Sequence, residues 1–79
     1  MENSFYIKKN NKNIKCDILY VFSNNDNNFV IYNDGSLDND GFLNVLANKF
    51  ILNNNTMTLL PIEDNEWSLV NNVWDGING

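Results

Sequence analysis

The chain has 79 residues, a net charge of −5, five Lys with no Arg, no His and a single Cys. Without His there is no imidazole acid, base or metal ligand, and one thiol builds neither a thiolate zinc site nor an internal disulfide. An acidic balance lacking Arg argues against a nucleic-acid surface, because phosphates select basic patches and bidentate guanidinium groups.

At this length a single domain spanning 1–79 is the default, and folding buries only about 60% of the unfolded surface. Two Trp, three Tyr and five Phe therefore matter, since they bring the largest apolar area per residue. Ser4 to Lys9 sets Phe5 and Ile7 against Tyr6 and Lys8, the alternation of a half-buried strand. Asn10 to Asn13 reads as a turn, because Asn tolerates left-handed backbone and bonds its own main chain. Ile14 to Phe22 is the clearest strand, with Ile14, Cys16, Ile18, Tyr20 and Phe22 on its expected core face. Four Lys (8, 9, 12 and 15) cluster on this first hairpin and read as a solvated face.

Ser23 to Asn28 is a second polar turn, and Phe29 to Asn33 a third strand. Phe29 and Ile31 lie on one face of it, Val30 and Tyr32 on the other, as in a central strand with one face covered and the other partly exposed. Asp34 to Gly41 is the longest loop, with two Asp-Gly steps. Ser36 to Gly41 spaces oxygens as a calcium loop does, but Ser36 stands first and Ala47 stands where a bidentate Glu is required. Leu43 to Leu52 fits a fourth strand. Leu43, Leu46, Ala47 and Phe50 also fit a helical stripe, so a helix there stays open. Asn53 to Asn55 is a turn, and Thr56 to Leu60 the last strand, with Met57 and Leu59 inward.

At Pro61 the apolar rhythm changes from every second residue to every third or fourth. Trp67, Val70, Trp74 and Ile77, widened by Val73 with Leu69 at the margin, form one face of a helix over about 65–75. Two cap registers compete, and Asp64 is favoured because Glu is a poor cap. Asp64 is the better residue type, whereas a cap at Glu63 lets Ile62 pack on Trp67 and places Glu66 for a capping box. Asp75-Gly76 supplies the stop, with Gly76 as the left-handed cap. So short a helix is marginal alone and must dock on the sheet, with the indoles as the joint. The alternative is that one Trp, with Val73 or Leu69, stays exposed as an anchor for a partner. The fold class is α+β: a small antiparallel meander of about five strands with one C-terminal helix packed on a face.

Leu60-Pro61-Ile62-Glu63-Asp64 followed by Glu66-Trp67 and an apolar helix resembles the closing motif of the small bacterial family catalogued as domain of unknown function 1292. Phe29 to Ser36, then Asp38, Gly41 and Leu43-Asn44-Val45, resemble its central strand, acidic turn and next strand. The family's closing helix is rich in Glu and Lys where this chain has Asn, Ser and Leu. The resemblance implies a small bacterial cytosolic β-sheet protein with a C-terminal helix, and it carries over no catalytic residues.

Function is expected to lie in binding. No enzymatic activity, cofactor, metal, nucleic-acid or membrane interaction is expected. The lone Cys16 and the absence of a long apolar run fit a cytoplasmic protein. The candidate partner surface is a sheet face or edge bearing Tyr6, Val30 and Tyr32, with Asp38 and Asp40 of the acidic loop beside it. Its expected occupant is a protein partner, and the acidic charge favours a basic one. The alternative is a homodimer formed by pairing of a sheet edge or face.

Overall fold

The computed structural model describes residues 3–54 and 56–78. Five strands, β1 (Ser4–Lys9), β2 (Lys12–Asn24), β3 (Asn27–Asn33), β4 (Leu46–Asn53) and β5 (Thr56–Leu60), are followed by a 3₁₀ turn (Asp64–Glu66) and helix α1 (Trp67–Asn78). The strands form one sheet in chain order, each antiparallel to the next, so the expected meander with one C-terminal helix is the fold.

The turns are tighter than the sequence reading placed them. Asn10 and Asn11 have φ of 54° and 62°, and Asn25 and Asp26 of 52° and 66°. Two consecutive positive φ angles belong to the type I′ hairpin, whose twist matches the strands it joins. Asn and Asp reach this region at low cost, so two residues suffice and β2 lengthens at both ends. At the β4–β5 hairpin Asn53 pairs with Thr56 and Asn54 has φ 50°. Asn55, the remaining residue of that expected turn, lies outside the described residues.

Directly opposed residues of an antiparallel pair share a face, which sorts the sheet. On one face Cys16, Val30, Tyr32 and Phe50 are buried, and Phe5, Ile7, Ile18, Val21, Leu46, Met57 and Leu59 pack against them. The first and last strands contribute to the same cluster, so the sheet curls around it. The Phe5 and Tyr32 rings meet edge-on at 5.1 Å, although their strands lie on either side of β2. Strands two apart in a flat sheet are separated by about 10 Å. Cys16, Ile18 and Val21 share this face because the β2–β3 register slips between Ile18 and Tyr20. That bulge corrects the uninterrupted even-numbered core face: Tyr20 and Phe22 turn outward. There Phe22 lies between Tyr20 and Phe29, with ring separations of 6.3 Å and 4.9 Å.

The opposite face carries Phe29 and Ile31, both buried, with Ala47 opposite Ile31 and Lys49 opposite Phe29. Helix α1 covers it. Among the described residues none from the helix belongs to the curled core, and Glu66 at the helix start reaches Lys49 at 3.0 Å. Among the helix residues whose burial is described, Val70 is the buried one, with Leu69, Val73 and Trp74 half-buried around it. Both faces of β3 are therefore covered, where one was expected to stay partly open.

Three boundaries differ from expectation. β4 begins at Leu46, and Leu43 instead forms an isolated bridge with Leu37 inside the loop; no helix forms over 43–52. The cap is Glu63, not Asp64. Glu is a weak cap by its own side chain, but here Glu66 Oε1 accepts the Glu63 N–H at 2.9 Å and the Glu66 N–H bonds the Glu63 carbonyl at 2.9 Å. The reach-back from the third position supplies what the cap residue's type does not. At the far end α1 runs through Gly76 to Asn78, and only Gly35 and Gly41 have positive φ among the described glycines. Gly76 is thus a helical residue rather than the stop.

Candidate functional site

A half-open cleft of about 290 Å³ lies between α1 and the start of β4. Trp67, Val70, Asn71 and Trp74 form its helix wall; Val45 to Asn48, with Ile31 and Tyr32, form its sheet side. The helix wall follows from the three-and-four spacing of its residues. The sheet side follows from Ala47, a small residue opposite Ile31, where a larger side chain would fill the space. The indoles therefore join helix to sheet only in part. Trp74 is half-buried, and Trp67 is 41% exposed at the cleft.

Val45 continues into a loop whose apolar side chains face solvent: Leu37, Leu43 and, at 71% exposure, Phe42. The backbone around them is fixed. Asp38 Oδ1 accepts the N–H groups of Asp40 at 2.9 Å and Phe42 at 3.0 Å, and the Asp38 N–H bonds the Phe42 carbonyl at 2.8 Å. The Asn44 N–H and side-chain amide bond Ser36. Ser36 in turn donates twice to Asp34 Oδ1, at 2.6 Å through its hydroxyl and 3.0 Å through its amide. These bonds, the hydroxyl first, hold the Asp34 carboxyl below the usual range.

The expected partner surface is not one surface. Tyr6, opposite Lys15, is 66% exposed on the outer face. Val30 and Tyr32 are 0% and 5% exposed inside the curled core, where no partner reaches them. The error is one of covering: both faces of β3 are apolar, and the sheet's curl, which no single strand reveals, closes over Val30 and Tyr32. Asp40 is exposed, whereas one oxygen of Asp38 already serves the loop's own backbone. What the sequence reading missed is Phe42-Leu43. The signal was present: an aromatic-aliphatic pair just after Gly41, in a loop too polar to bury it.

Among the described residues no three carboxylate or thiol side chains converge as metal ligands do, and no helix is long and apolar enough to cross a membrane. Cys16 is fully buried, and burial, then the nearby Asp34 and Asp17, push its thiol up, away from the thiolate that nucleophilic chemistry uses. Charge is divided along the chain. Up to Asn25 there are four Lys against Glu2 and Asp17; beyond it there is one Lys against eight acids. The cleft and loop belong to the acidic part, and its one Lys, Lys49, is paired with Glu66. No protein-family model, curated protein or solved structure matches the chain.

Proposed function

We propose that the chain is a small, non-enzymatic protein-binding module of the bacterial cytoplasm, and that its contact surface is the α1–β4 cleft with the loop rim beside it. The observation that carries the reading is that Trp67 and Val45 line one cleft and stay exposed, with Leu43 and Phe42, two and three residues before Val45, exposed as well. Contiguous exposed apolar surface rimmed by polar residues marks interaction sites, and aromatic anchors dominate such contacts. The resemblance carried by residues 29–45 and 60–67 agrees with a binding role, since it brings no catalytic group with it. Pull-down from a bacterial lysate tests the reading. Wild type is expected to retain a protein that Phe42→Ser and Trp67→Ser release; retention by both variants, or no retention by wild type, defeats it.

A homodimer is the second reading, favoured by the strand order. β1 and β5 each have a single neighbour in the sheet, leaving a row of backbone groups open for pairing with another copy. Light scattering across a hundredfold concentration range separates the two, because a constant monomer mass is incompatible with self-association.

A further inference from the structure

We propose that the cleft receives a cationic peptide segment: one bulky aliphatic or aromatic side chain with Lys or Arg within a few residues on both sides. This rests on the binding-module reading and names its partner class. The volume of about 290 Å³ stands at the bottom of the range for small-molecule sites, about 300–1,000 Å³, and suits one or two large side chains rather than a cofactor. Beyond Val45 in the cleft lining, Leu43 and Phe42 are exposed as well, and a peptide segment is long enough to use them. The exposed amide of Asn71 offers a donor and an acceptor to a peptide backbone.

Charge selects the flanks. Asp64 stands three residues before Trp67 and Asp75 directly follows Trp74, so an acid flanks the cleft-lining helix residues in the chain on each side. Both are exposed. The loop that leads into Val45 carries Asp34, Asp38 and Asp40; Lys49 is paired with Glu66 at 3.0 Å, and Lys9 acts on Asp34 at the loop's start. An apolar slot whose adjoining turns and loop carry an excess of carboxylates accepts an apolar anchor between positive charges and repels one between negative charges. The chain's own Lys-bearing hairpin tip, Lys8-Lys9-Asn10-Asn11-Lys12, is a weaker occupant, because no bulky apolar side chain stands between its Lys residues to act as the anchor.

Three octapeptides test this: one with Leu-Phe at its centre and two Lys at each end, its twin with Glu for Lys, and a third with the Lys kept and Leu-Phe replaced by Ser-Ser. Binding is read from the indole N–H resonances of Trp67 and Trp74. The first peptide is expected to shift both saturably, and the other two to bind at least about tenfold more weakly. Raising salt from about 50 to 500 mM should weaken the first several-fold, as for exposed charges. The double variant Asp64→Asn, Asp75→Asn, at exposed sites that leave the fold intact by circular dichroism, should lower affinity for the first peptide about three- to tenfold and leave the Glu twin no worse. Equal binding of the Glu twin overturns the proposal but leaves the binding module standing. Failure of all three to move either indole defeats both. Indole shifts that depend on protein concentration alone assign the cleft to a second copy and overturn the proposal.

Discussion

Tyr32 gives the sharpest test of the curled core, because the sequence places it on an outer face and the structure places it inside. Its hydroxyl donates to Asn48 Oδ1 at 2.6 Å, and the Asn48 amide donates to the Leu60 carbonyl at 3.0 Å, so one relay ties β3 to β4 and β5. Tyr32→Phe removes one hydrogen bond, about 1 kcal/mol net, and leaves an amide oxygen without its partner. Asn48 is half-buried, so water partly restores that oxygen, and the total is expected near 1–2 kcal/mol. Tyr32→Ala removes the ring as well, and truncating a buried aromatic costs about 3–5 kcal/mol. A domain of this length has about 4–12 kcal/mol to lose. The phenylalanine variant should therefore fold and the alanine variant stand near the edge of unfolding. With a slope near 1 kcal/mol per M of urea, Tyr32→Phe lowers the midpoint by about 1–2 M at unchanged slope. Combining it with Asn48→Ala should cost less than the sum of the two, by about 0.5–1.5 kcal/mol, because both sever the same bond. A midpoint within about 0.3 M of wild type for Tyr32→Phe removes the relay. A Tyr32→Ala variant as stable as a surface mutant removes the curl itself.

Replacing Asn11, at φ 62°, by Gly should stabilise the first hairpin slightly, while Asn11→Val should cost about 1–2 kcal/mol in thermal or urea unfolding, since a β-branched residue resists the left-handed region. Burial raises both Tyr32 and Cys16 above their ordinary values. The unfolded chain then releases these protons first, from about 8.5 for a thiol and about 10 for a phenol, so it binds fewer protons than the native state and Tm falls as pH climbs through that range. Cys16→Ala should delay the onset. Asp34 and Glu66 are held below the usual carboxylate range, so the stability they contribute is present above about pH 4.5 and is lost as pH falls below it. Glu66→Gln should reduce helical circular dichroism more than Lys49→Met does, because it alters the acceptor for the Glu63 N–H as well as the Lys49 pair. Phe42→Ser, at an exposed position, should leave unfolding within about 0.5 kcal/mol of wild type.

The element order was legible because polar Asn-rich turns punctuate apolar runs, and because the period of those runs changes after Pro61. The phase inside β2 was not. Residues 18 to 22 are Ile, Leu, Tyr, Val and Phe, so no polar side chain marks which face is which, and a one-residue bulge exchanges Tyr20 for Val21 without leaving a trace in the composition. The same uniformity hid the start of β4: Leu43, Val45, Leu46 and Ala47 read as one strand, although Leu43 closes a small loop on Leu37. The cap was misassigned because residue type was weighed above the reach-back from Glu66. Gly76 was misassigned because a glycine near a helix end is free to take the left-handed conformation but is not obliged to.

The partner surface failed for a different reason, one of dimension. Alternation along a strand assigns side chains to two faces, but whether a face is open depends on strands that are remote in sequence. Here Phe5 from β1 and Leu59 from β5 converge on Tyr32 and Phe50, and the inner face seals itself without any contribution from the helix. That leaves α1 attached to the outer face chiefly through Val70, its half-buried neighbours and the Lys49–Glu66 pair, with the partly exposed Trp67 not needed to close the inner face. Stability and binding are thereby assigned to different residues. Val70→Ala, which removes two buried methyl groups worth about 1.5–2 kcal/mol, should loosen the helix while the sheet keeps its β signal. Trp67 is 41% exposed, so Trp67→Phe, which keeps a ring in the cleft, should weaken binding while unfolding moves less than for Val70→Ala. If Trp67→Phe unfolds the domain more readily than Val70→Ala and leaves binding unchanged, the indole is part of the core and the cleft is no docking surface.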